Sequence, residues 1–100
     1  MPPNADDHPL RYLITKACAL PNCPEGVRTA LAHYLSTGQI TRARDTAFGI
    51  DGSREADNWW LFYTAVSDAA QALQREERRI YDYWLDAAKD YFRYCQIQQR

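Results

Sequence analysis

Beyond residue 52 the sequence contains neither proline nor glycine. All five prolines (2, 3, 9, 21, 24) and all four glycines (26, 38, 49, 52) come earlier. In a helix interior proline costs about 3 kcal/mol and glycine about 1 kcal/mol. The 48 residues that lack both therefore predict helix and exclude a turn-rich β fold. Cysteine is sparse and odd in number: Cys18, Cys23 and Cys95 cannot complete a disulfide framework, which points to a reducing compartment. No run approaches the roughly 18 apolar residues of a membrane span. The polar start Met1-Pro2-Pro3-Asn4-Ala5-Asp6-Asp7 lacks the basic-then-apolar pattern of a secretory leader. A cytoplasmic protein without a membrane partner is expected. Net charge is also scarce. Twelve basic and thirteen acidic side chains leave −1, which excludes a global field for DNA or RNA and the dense negative surface of a nucleic-acid mimic. Electrostatic recognition has to come from local patches.

What is present suits a single domain over residues 1–100. A 46% apolar content supplies one core, and a 13% aromatic content argues against disorder. The first predicted helix starts near Asp7 or His8, with Pro9 in its opening turn, and runs to Leu20. Leu10, Leu13, Ile14, Ala17 and Leu20 form its apolar face. Pro21-Asn22-Cys23-Pro24 ends it. A second helix over 24–37 takes Asn22 or Cys23 as its cap and buries Val27, Ala30, Leu31, Tyr34 and Leu35. Gly38 then stands where a left-handed C-terminal cap belongs. A short third helix is expected from Thr41 to Phe48, closed by Gly49, with Ser53 as the N-cap of the C-terminal helical segment.

In the final stretch Trp59, Tyr63, Val66, Ala70, Leu73, Ile80, Trp84, Ala87, Tyr91 and Tyr94 fall on one alternating 4,3 series, interrupted only by Glu77. That is a 3.5-residue seam. Two architectures fit it. One is a continuous or gently bent helix of about 40 residues, roughly 60 Å long; the other is a hairpin or kink within 74–79. Helices average about 12 residues, which favours the break. Continuity of the seam, and the absence of any turn residue from Gln74-Arg75-Glu76-Glu77-Arg78-Arg79, tip the balance towards the continuous helix. The expected fold is an all-α small helical bundle: two antiparallel helices packed on a long or kinked C-terminal helical segment.

Catalysis has no evident home. There is no glycine-rich phosphate loop, nucleophile elbow, zinc-protease helix or dinucleotide fingerprint. Cys18-x4-Cys23, even with His8 and His33 nearby, is wider than the tight pairs of zinc sites, so neither metal nor cofactor is expected. Arg28-Thr29-Ala30-Leu31-Ala32-His33 resembles the R-x4-6-H spacing of HEPN-type helical ribonucleases. That resemblance implies His33 as general acid or base and Arg28 as stabiliser of a phosphorane. With ten arginines in the chain, about 0.6 such spacings arise by chance, and the enzyme stays the alternative.

The C-terminal half carries a different signal. Ten of the thirteen aromatic residues lie beyond residue 58, more than one seam can hold. Trp60, Phe62, Tyr83, Phe92 and Tyr81 are expected off the seam, where tyrosine and tryptophan commonly anchor interfaces. Asp82, Asp86 and Asp90 recur at i, i+4 and i+8, an acidic row beside Tyr83, with Arg75, Arg78 and Arg79 as a basic patch one to two turns earlier. These seven residues are the candidate partner-binding site. A non-catalytic protein-protein interaction is the expected function, with another protein or a protein-nucleic acid complex as partner, or a homodimer through the C-terminal seam. In size, near-neutral acidity, all-helical character and lack of catalytic motifs, the chain resembles small phage-encoded inhibitors, including helical anti-CRISPR proteins. That resemblance implies binding to a CRISPR surveillance complex, with the acidic stripe covering a basic DNA-binding site.

Overall fold

The structure is a computed structural model that describes residues 8–41 and 54–97. It holds four helices: α1 (His8–Cys18), α2 (Glu25–Thr37), α3 (Arg54–Gln74) and α4 (Arg78–Ile97). The short helix predicted from Thr41, the Gly49 stop and the Ser53 cap fall on residues 42–53, outside the described residues.

α1 and α2 form an antiparallel pair joined by a short connection. Arg11, early in α1, donates from Nη1 to the carbonyl of Leu35, late in α2, at 3.1 Å. The expected faces are buried: Leu10, Leu13, Ile14 and Ala17 on α1, and Val27, Ala30, Leu31 and Tyr34 on α2. α1 stops at Cys18 rather than Leu20, because Ala19 and Leu20 turn back with N–H bonds to the Lys16 and Ala17 carbonyls. Neither Asn22 nor Cys23 caps α2. Pro24 occupies the cap position in extended geometry (φ −58°, ψ 144°), with no side-chain cap bond. Gly38 does close the helix as predicted, at φ 77°, with its N–H on the Tyr34 carbonyl.

The long segment is not a rod. α3 ends in a Schellman turn: the Glu76 N–H bonds the Leu73 carbonyl at 3.1 Å and the Glu77 N–H bonds the Ala72 carbonyl at 2.9 Å. Glu76 takes the left-handed position, φ 59°, that glycine usually fills. The Glu77 carbonyl then accepts the Tyr81 N–H and starts α4. The preferred continuous helix is thus corrected to an αα-hairpin. A rod of about 60 Å would also outreach the molecule, whose longest axis is 39 Å.

The reversal also corrects the seam. On α3 the expected Trp59, Tyr63, Val66 and Ala70 are buried, joined by Phe62, Ala65, Ala69 and Ala72. On α4 the buried series is Tyr81, Leu85, Ala88, Phe92 and Cys95, each one residue after the expected position, while Ile80 and Tyr94 stay 46% and 56% exposed. Small side chains on α3 let the larger ones of α4 approach, and Phe62 meets Phe92 at 5.7 Å between ring centres. The two helical pairs are stitched together by Gln74 Nε2 on the Gly38 carbonyl (3.2 Å) and by Asn22 Nδ2 on the Cys95 carbonyl (3.1 Å). The Tyr63 hydroxyl donates to the Thr41 carbonyl at 2.6 Å.

A left-handed non-glycine residue costs about 1–2 kcal/mol, partly offset by the smaller entropy of the unfolded chain relative to glycine. Glu76→Gly is therefore expected to raise stability by about 0.5 kcal/mol, and Glu76→Val to lower it by about 1 kcal/mol or more. Urea unfolding of the two variants checks the pair of signs.

Candidate functional site

The buried stripe of α4 fixes which residues can meet a partner. At about 100° per residue, the line opposite that stripe passes through Arg79, Tyr83, Asp86, Asp90, Tyr94 and Ile97. All six are exposed. Of the six large hydrophobic residues exposed among the described residues, four lie on α4: Ile80, Tyr83, Tyr94 and Ile97. On the outer line Tyr83, Tyr94 and Ile97 stand among the charged Arg79, Asp86 and Asp90, and Ile80 lies toward one flank.

The acidic row is present, but it winds. Each i+4 step advances about 40° round the axis, so Asp82 lies toward one flank while Asp90 lies between Tyr83 and Tyr94. Asp82 is also engaged: Arg78 Nε sits 3.5 Å from its Oδ1. The expected basic patch is consequently not a separate surface. Arg78 pairs with the first carboxylate of the row and stacks over the Tyr81 ring at 5.5 Å, and Arg75 lies 3.9 Å from Glu77 in the turn. Arg79 falls on the outer face. Tyr83 is 66% exposed and packs edge-on to Trp84, with ring centres 5.1 Å apart.

Tyr94 and Ile97 are the members of this face missing from the sequence-based set. The 4,3 seam puts Tyr94 inside the molecule. The signal for its exposure is the second 4,3 series one residue out of phase, Tyr81 to Cys95, which competes for the same core.

Among the described residues no bond joins Arg28 to His33. Arg28 Nη2 donates to the carbonyls of Leu20 (3.0 Å) and Cys23 (3.2 Å), a role in holding the α1–α2 connection. His33 is exposed, and a five-residue step on a helix sets the two about 140° apart round the axis. Among the described residues no three His, Cys, Asp or Glu side chains group as metal ligands, and no described helix is long and apolar enough to cross a membrane.

Two of the three thiols are buried. Burial pushes Cys23 up to about 12, with Cys18 adding and Arg28 opposing; burial, then Cys23, does the same to Cys95, also to about 12. Cys18 is raised by burial as well, against the pull of Arg28. No family model, curated protein or solved structure matches the chain.

A thiol reagent near pH 8 is expected to label the half-buried Cys18 first and Cys23 and Cys95 only after unfolding, because the thiolate is the reactive form. An unfolded thiol ionises near 9.0, whereas the folded Cys23 holds its proton to about 12. The unfolded state then binds fewer protons, so stability falls as pH rises through that window. Melting of wild type against Cys23→Ala from pH 8 to 11 reads the difference: the variant should lose part of the slope.

Proposed function

We infer that this chain is a non-catalytic protein-binding module whose partner docks on the outer face of α4. The observation that carries this is the exposure of Tyr83, Tyr94 and Ile97 along one line of α4, interleaved with Asp86 and Asp90. Exposed aromatics fixed on a rigid helix, beside carboxylates, have the make-up of an interface centre with a charged rim. Asp86 and Asp90 have no ion pair among the described residues, which leaves them open to basic groups on a partner. The likeness to small phage-encoded inhibitors extends this to a CRISPR surveillance complex, whose basic DNA-binding surface would meet Asp86 and Asp90. Self-association is the other use, through the adjoining flank of α4 that carries Ile80, Trp84, Tyr91 and Tyr94.

Two variants test the face: Tyr83→Ala with Tyr94→Ala, and Asp86→Asn with Asp90→Asn. All four positions are exposed, so melting should shift little. Against a partner captured from the native host, the tyrosine pair is expected to cost about 2 kcal/mol or more. The asparagine pair should weaken binding and flatten its dependence on salt. Undiminished capture by both folded variants would move the binding site elsewhere on the molecule.

A further inference from the structure

A cleft of about 450 Å³ opens between α1 and α4, on a flank of α4 about 140° round its axis from Tyr83 and Tyr94. Its floor is apolar: Leu13 and Phe92, both buried. Its rim is cationic: Lys16 from α1, and Lys89 and Arg93 from α4. Among the described residues no carboxylate lines it. None of the three cations belongs to the ion pairs of the described residues, Arg75–Glu77 and Arg78–Asp82. Instead the Lys16 ammonium lies over two rings, 5.3 Å from the centre of Tyr12 and 5.8 Å from that of Phe92. Lys89 and Arg93 stand four residues apart on one helix, where like charges disfavour each other. Helix-dipole complementarity accounts for one of these basic residues, Lys16 in the last turn of α1, whereas the last turn of α4 holds none. It does not explain why three of them converge over an apolar floor in a molecule of net charge −1.

We propose that this cleft is a binding site for a small amphiphilic anion, a single carboxylate carried on a flat aromatic body. The body covers Leu13 and Phe92 and lies against Tyr12, which is 62% exposed. The carboxylate is shared by Lys89, Arg93 and Lys16. The cleft volume lies within the range of small-ligand pockets, roughly 300–1,000 Å³. A polyanion is disfavoured, because a phosphate chain crossing α4 from the cleft meets the exposed Asp86 and Asp90. The site shares no residue with the outer face, although Lys89 and Arg93 each stand three residues after one of its carboxylates, Asp86 and Asp90.

The test is an amide NMR titration of the full chain with 2-naphthoate. Its neutral isostere 2-naphthamide, inorganic phosphate and a short single-stranded oligonucleotide serve as comparators. Saturable shifts confined to residues 12–16 and 89–96 are expected, with each comparator at least tenfold weaker. Lys89→Gln with Arg93→Gln, two exposed positions given a good helix former, should weaken 2-naphthoate at least tenfold without moving the melting temperature. The proposal is overturned by any of several results: no saturation in the millimolar range, shifts scattered over the hairpin, or unchanged affinity in the double variant. Equal binding of 2-naphthamide would leave only an apolar groove, and equal binding of phosphate or the oligonucleotide only a charge patch; either also overturns it.

Discussion

The left-handed backbone at Glu76 sets the phase of everything after it. A Schellman turn delivers the chain into α4 at one rotation about the new axis, and that rotation decides that Tyr81, Leu85, Ala88, Phe92 and Cys95 face α3. Had α4 entered one residue earlier in phase, Ile80, Trp84, Ala87 and Tyr91 would be the core, and Tyr94, now outside, would be in. The identity of the outer surface is therefore a consequence of a single turn, more than of the composition of α4 itself.

The close hairpin depends in turn on small residues. Ala65, Ala69 and Ala72 present little side chain to the partner helix, and Tyr81, Leu85 and Phe92 fill the space they leave. Volume is conserved across the interface rather than within each helix, in the large-against-small manner that keeps cores dense. α1 and α2 then close the hairpin from one side through two side-chain bonds to backbone carbonyls, from Gln74 and Asn22. Between α1 and α4 packing is less complete, and there the cationic cleft opens.

Much of this architecture was legible. The faces of α1 and α2 followed from 3.6-residue periodicity, and Gly38 announced its own left-handed cap. The α3 half of the seam was also legible, since Trp59, Tyr63, Val66 and Ala70 are all buried. The break within 74–79 was legible as one of two options but not as the preferred one, because its key position is a glutamate, a good helix former with no turn signature. The α4 half then failed for a related reason. Two 4,3 series run side by side there, and only the geometry of the turn chooses between them. Of the candidate site, the exposure of Tyr83, Asp86 and Asp90 was anticipated. The Arg78–Asp82 pair was hidden by treating the basic patch and the acidic row as separate features. The cleft was invisible, since it joins Lys16 to residues more than seventy positions away.

All three tryptophans belong to the hairpin: Trp59 and Trp60 on α3, Trp84 on α4. Trp59 is fully buried, while the other two are partly open to solvent. Intrinsic tryptophan emission is accordingly a hairpin signal. The α1–α2 pair holds only Tyr12 and Tyr34 and is nearly dark at the same wavelengths. An unfolding curve followed by tryptophan emission reports the hairpin and whatever covers the buried Trp59, whereas far-ultraviolet dichroism weights every helix by its length. Any gap between the two curves measures how tightly the halves of the molecule are coupled.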